Sequence, residues 1–133
     1  MQRFLERHQG TLYAILRGAA GFLFACHGAQ KVLGLFGGAS GVPPALLWSA
    51  GLIELVGGTL IALGLFTRWA AFVCSGQMAV AYFTAHQGRA LFPIQNGGEL
   101  AALYAWLFLF IAARGSGSLS LDARRGERAE GSA

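Results

Sequence analysis

The stretch "NGGELAALYAWLFLFIAAR", residues 96–114, opens on a polar tetrapeptide, carries one carboxylate at Glu99 and then runs apolar to Arg114. Nothing in it alternates with period two, so it does not read as a strand. A helix needs about 20 residues to cross roughly 30 Å of hydrocarbon. This run is slightly shorter, a deficit met by local bilayer thinning or by packing inside a bundle. It is the fourth of its kind. Reading outward, apolar segments cover about 11–35, 45–66, 69–85 and 97–113. The fold class expected is therefore all-α, a polytopic membrane protein built as a four-transmembrane-helix bundle over residues 1–114, with 115–133 a disordered cytoplasmic tail.

Composition agrees. Of 133 residues 55% are hydrophobic and only 12% charged, with mean hydropathy +0.53. A soluble domain carries about 25% charged residues, so lipid is the expected solvent. The first run is long, holds Arg17 and lacks a small-residue cleavage site, which argues against a cleaved signal peptide. The net charge of +4 does not indicate nucleic acid, because the basic residues sit at segment ends and in the tail with no aromatics interleaved. Cys26 and Cys74 stand far apart in apolar stretches, so neither a thioredoxin-like pair nor a zinc site is expected.

The connections order the bundle. "FTR" between the second and third runs is a tight turn that makes those helices antiparallel neighbours, while "GLFGGASGVPP" and "HQGRALFPIQN" are longer loops on the other side. Placing both termini and the tight turn together gives that side Arg3, Arg7, Arg17, Arg68, Arg114, Arg124, Arg125 and Arg128, against Lys31 and Arg89 opposite. Positive charge marks the cytoplasm, so both termini are expected there. Small residues at Ala14, Gly18, Gly21, Ala25 and Ala29, at Gly58 and Ala62, and at Ala71, Ser75 and Ala79 form stripes suited to close helix packing. That packing is within one chain or, alternatively, between two copies.

Ionisable groups inside spans cost roughly 2.5–3.5 kcal/mol each on insertion scales. With about 1.5 Å of rise per residue, Lys31 lies about 3 Å, His27 about 9 Å and Glu54 about 12 Å below the outer surface, and His86 and Glu99 within about one turn of it. His27, Lys31, Glu54, His86 and Glu99 are thus expected to converge on the outer half of the bundle. Arg17 falls near the cytoplasmic boundary, where it can snorkel. His27 and Lys31 share a helix face. Glu54 has no positive residue one turn away, so its partner comes from another helix or from a ligand. That leaves a structural ion pair and a ligand or proton site both open. Asn96 reads as the N-cap of the fourth helix with Glu99 as its capping-box carboxylate. This account of Glu99 stands beside cluster membership. Two histidines on separate helices could ligate haem or metal, but no spacing signature supports it. Gln77 reads as an interhelical hydrogen-bond donor, and Phe92 and Pro93 as the wall of an apolar pocket.

Three strings, "RGAAGFLFACHGAQKVLG", "GLIELVGGTLIALGLFTRWAA" and "AYFTAHQGRALFPIQNGGELAALYAWLFLFIAARGSGSLSLD", together resemble the DoxX family of small bacterial inner-membrane proteins over about residues 10–122. The resemblance is most specific at the glycine-flanked Glu54, the Gly64–Arg68 turn and the Asn96–Glu99 box. It implies a four-helix membrane protein. It also implies kinship with the membrane subunit of a thiosulfate:quinone oxidoreductase and with membrane complexes that protect against oxidative and thiol stress. The family's polar positions are matched by Arg17, His27, Lys31, Glu54, Arg68, His86, Asn96 and Glu99. Two functions follow as expectations. One is a quinone-associated redox subunit that needs a partner redox protein or a second copy of itself, since no flavin motif or cluster-binding cysteines are present. The other is a non-catalytic membrane scaffold or assembly factor.

Overall fold

The computed structural model describes residues 1–41 and 43–131; residues 132–133 of the predicted tail lie outside them. All regular structure among the described residues is helical. A short α1 (Gln2–Arg7) leads into α2 (Gln9–Leu33), and α3 (Pro44–Leu63) follows the glycine-rich loop. Next come α4 (Thr67–Ala81), continued by a π-helical turn at Tyr82–His86, and a single turn α5 (Pro93–Asn96). The chain closes with α6 (Glu99–Arg114) and α7 (Leu121–Gly131). Pro44 stands at the first position of α3, where its missing N–H costs nothing. Gly34 and Gly64 end α2 and α3 in the left-handed conformation that glycine adopts without strain.

Packing is most extensive between α4 and α6 and between α2 and α3. The α2–α3 seam is set by missing side chains. A Cβ on Gly28 would stand 2.2 Å from the Leu55 nitrogen, and one on Gly21 would stand 2.4 Å from that of Ala62. Glycine at these positions lets the two backbones touch, the close approach that stabilises helix pairs where lipid removes the hydrophobic drive. Across the α4–α6 seam the Ser75 hydroxyl donates to the Ala105 carbonyl at 2.7 Å. The pairs meet at a core of Phe24, Ile61, Cys74, Phe108 and Ile111, with Phe24 edge-on to Phe108 at 4.7 Å between ring centres.

The exterior is apolar as well. Ile15, Phe22, Phe72, Val80, Leu103 and Trp106 are all exposed, an inverted surface that water would penalise and lipid would not. Gln9–Leu33 and Pro44–Leu63 are long and apolar enough to cross a membrane.

One end of the bundle is closed by polar groups that belong to other helices. Arg17 does not snorkel: it is buried, its Nη1 donating to the carbonyls of Ile61 (2.5 Å) and Ala62 (2.9 Å) at the end of α3 and its Nη2 to Leu119 at 2.7 Å. Arg68 does the same for α6, donating to Ala112, Ala113 and Arg114. Each cation meets the negative end of a helix dipole and donates to carbonyls of that helix's last turn. At the opposite polarity, Asp122 accepts from the Phe66 and Thr67 N–H groups (2.9 and 3.0 Å) and from the Thr67 hydroxyl, capping α4 from 55 residues away. The start of the expected disordered tail therefore does not hang free. Ser120 is buried, the Asp122 N–H bonds the Gly64 carbonyl, and α7 follows. The physical reason is that Phe66, the residue at the N-cap of α4, has no polar side chain of its own to serve as cap.

Candidate functional site

Glu54 sits within a π-helical turn, Ile53–Gly57, in the middle of α3. Such turns insert one extra residue into the helix and recur at functional positions. Three glycines bring neighbouring helices close around it. Gly51 lies against the Lys31 and Val32 side chains, Gly58 against the backbone of Ala25, and the space a Gly57 side chain would fill is taken by the Cys74 thiol. The carboxylate so placed is 1% exposed. Lys31 Nζ donates to its Oε1 in an ion pair, and Gln77 Nε2 donates to the same oxygen at 2.9 Å. Three helices, α2, α3 and α4, thus meet on one oxygen atom. Gln77 Nε2 also reaches the Ala50 carbonyl at 3.4 Å. Glu54 Oε2 and Gln77 Oε1 are buried and have no hydrogen-bond partner.

Beside this triad opens a cleft of ≈ 360 Å³. His27, Lys31, Glu54, Gln77 and His86 supply its polar groups; Phe24, Met78 and Tyr104 are among its apolar walls. The volume falls at the lower end of the range for ligand pockets, which are mostly apolar with a few placed polar groups. Phe24 and Tyr104 lie 5.2 Å apart between ring centres, and His27 stands edge-on to Tyr104 at 6.5 Å. His86 Nδ1 donates to the Asn96 carbonyl at 3.2 Å. A carbonyl can only accept, so in the neutral ring Nε2 is the acceptor.

Four of the five residues expected to converge therefore line one cleft: His27, Lys31, Glu54 and His86. Glu99 does not. It is exposed at the first position of α6 and lies outside the cleft lining, so it neither completes the charged cluster nor partners Glu54. The capping box also fails to form, because Gly98, not Asn96, precedes α6 and no side chain caps it. Asn96 is instead buried at the end of α5. Its Oδ1 accepts from the Gly98 N–H at 2.8 Å while Nδ2 donates to Tyr82 and Ala90, pinning the outer loop. Arg17 and Arg68 lie at the far end, on helix C-termini. Phe92 and Pro93 do not line this cleft. Sequence reasoning left out Phe24 and Tyr104 as walls and did not aim Gln77 at Glu54. The glycines around Glu54 were the available signal for close helix approach. Among the described residues no three His, Cys, Asp or Glu side chains gather to hold a metal ion.

The family model described as DoxX matches residues 12–87. An uncharacterised protein of Haemophilus influenzae (strain ATCC 51907 / DSM 11121 / KW20 / Rd) is 45% identical over 125 residues, covering 89% of this chain and 93% of that one. A Bacillus subtilis (strain 168) protein named "Putative oxidoreductase CatD" is 30% identical over 118 residues, 85% of this chain and 84% of its own. No solved structure matches.

Proposed function

The chain belongs to the DoxX family, and on that premise we propose that it is a redox-associated membrane subunit whose cleft beside Glu54 receives the ring of a membrane quinone. The observation that carries this reading is a buried Lys31–Glu54–Gln77 triad set in the wall of an otherwise apolar cleft. Burying charge is expensive, and placing it against an apolar cavity makes chemical sense where a ligand combines a flat apolar ring with polar edges. The name of the CatD relative points the same way. The residues fit such a ring: Phe24 and Tyr104 offer aromatic faces, and Lys31, Glu54 and Gln77 are among the polar residues of the cleft lining.

A bound quinone supplies reversible uptake of two electrons and two protons. The chain's own part is positioning and proton handling. Lys31 is part-exposed at the cleft, and its ammonium retains donors beyond the one given to Glu54. Glu54 can accept a proton in a dry setting, where acid–base groups act most strongly. His86, oriented by the Asn96 carbonyl, stands in the same lining towards the outer loop, a place from which a proton can be passed to solvent. Electrons come from a partner redox protein, in a complex linked to oxidative or thiol stress. In this reading α2, α3, α4 with its π turn, and α6 all cross the inner membrane, with both termini cytoplasmic.

A second reading, a non-catalytic scaffold, draws on the cross-helix caps of Arg17, Arg68 and Asp122, which would hold a fixed docking face on the side of the termini. Mass spectrometry of gently extracted protein separates the two. The redox reading expects a co-purifying quinone or quinol, lost in Ala85→Trp, a bulky replacement on the cleft lining, with helicity kept. A reproducible partner protein with no quinone in either sample would favour the scaffold.

A further inference from the structure

At the end of the bundle where Arg17 and Arg68 lie, α1, α2 and α6 enclose a groove of ≈ 450 Å³. Its lining changes along the helix axes. Going inward from that end, Gln9 gives way to Leu12 and Leu16 on α2, and Arg114 gives way to Phe110 on α6. Both walls are therefore polar at one end and apolar at the other, and Leu12, Leu16 and Phe110 are all exposed. The polar end carries one charge of each sign. Arg114 lies over the Tyr13 ring at 4.3 Å from its centre, and that ring is buried and tethered by its hydroxyl, which donates to the Gly115 carbonyl. A guanidinium stacked on an aromatic face keeps the N–H groups of its edge for an oxyanion. The carboxylate is Glu6, exposed on α1. Glu6 and Arg114 line one groove without pairing: among the described residues the one ion pair is Lys31–Glu54.

Opposite charges held apart in a groove fit a ligand that carries the same two charges in reverse, and apolar walls below them fit a ligand with a hydrocarbon tail. We infer that this groove seats a phospholipid whose headgroup bears a primary ammonium beyond its phosphate, that is, a phosphoethanolamine lipid. The phosphate meets the edge of Arg114, the ammonium donates to Glu6, and an acyl chain runs inward between Leu12, Leu16 and Phe110. Arg114 closes the apolar run of α6, so the change from polar to apolar lining follows the change from headgroup to hydrocarbon. A choline headgroup has the same two charges, but its quaternary nitrogen has no N–H to donate. A glycerol headgroup brings no cation to Glu6. The groove is separate from the cleft beside Glu54 and does not depend on the quinone reading.

The test presents the full chain in detergent with equimolar phosphatidylethanolamine, phosphatidylcholine and phosphatidylglycerol of identical acyl chains, and counts retained lipids by native mass spectrometry. The ethanolamine lipid is expected to be retained about threefold over the choline lipid, the size of one exposed ion pair, with the glycerol lipid below the ethanolamine one. Glu6→Gln is expected to bring the ethanolamine lipid down to the choline level, and Arg114→Gln to lower both. Glu6 and Arg114 are exposed, so helicity by circular dichroism should be unchanged in either variant. Arg125→Gln, a charge removed outside the groove lining, is expected to leave the order as it was. An ethanolamine advantage that survives Glu6→Gln, a loss no greater in Arg114→Gln than in Arg125→Gln, or strongest retention of the glycerol lipid overturns the inference. So does retention of no lipid at all.

Discussion

At the residue scale the account turns on Glu54. Its need for a partner on another helix was legible, because a mid-helix carboxylate in an apolar run has nothing within one turn to neutralise it. Counting depth from the helix ends then put Lys31 and His27 within reach. Glu99 was not legible in the same way: its place depends on where α6 starts, and that is decided by Asn96 turning inward to hold the Ala90 carbonyl and the Gly98 N–H. Breaking the ion pair from one side should be costly. Lys31→Met leaves the Glu54 charge buried and unpaired, for an expected loss of about 3–5 kcal/mol in reversible unfolding in detergent. Adding Glu54→Leu should recover most of that loss, since replacing both partners by apolar groups removes the charge itself. Recovery of nothing would mean the destabilisation comes from packing, not charge.

At the element scale, helix bodies were readable and helix ends were not. Apolar runs and glycine stripes located α2, α3, α4 and α6, because lipid exposure and close packing leave a direct mark on residue type. The caps leave none, since Arg17, Arg68 and Asp122 act on helices remote in the chain. The π turn at Ile53–Gly57 was hidden as well, since its residue types do not differ from those of an ordinary apolar helix. Gly28→Ala tests the α2–α3 seam. Its methyl would stand 2.2 Å from the Leu55 nitrogen, so the helices must part, at an expected cost of about 1–3 kcal/mol by the same unfolding assay. Asp122 offers a pH test outside the spans. Burial alone would raise its pKa, but the hydrogen bonds from Thr67 and Phe66, with Arg125 nearby, outweigh this and hold it below the usual carboxylate value. A lowered folded-state value means the stabilisation is present above the unfolded pKa of about 3.9 and is lost as pH falls through the folded value. Protection of the amides at the start of α4 against hydrogen exchange should therefore be lost as pH falls through that lowered value. Asp122→Ala should show fast exchange already at neutral pH, at a cost of about 1 kcal/mol, and no further rise in acid at this cap.

At the scale of the whole molecule, an inside-out surface, two helices long enough to cross a membrane and DoxX membership agree on a lipid-embedded protein. The proposed topology is checked with fusions to the C-terminus: a fluorescent protein there should be bright and a phosphatase inactive, and the reverse would put the termini outside. The central claim is that the cleft beside Glu54 is where a redox ring binds. A second apolar groove, lined by Phe83, Pro93 and Trp106, lies between α4 and α6 and serves as an internal control. The most direct measurement is photolabelling of the protein in its native membrane with an azido-quinone, followed by peptide mapping. The account predicts label on the Phe24–Lys31 and Ala101–Tyr104 peptides, competed away by unlabelled quinol and absent in Ala85→Trp. Label confined to Trp106 and Phe83, or spread over the lipid-facing surface without competition, would contradict it.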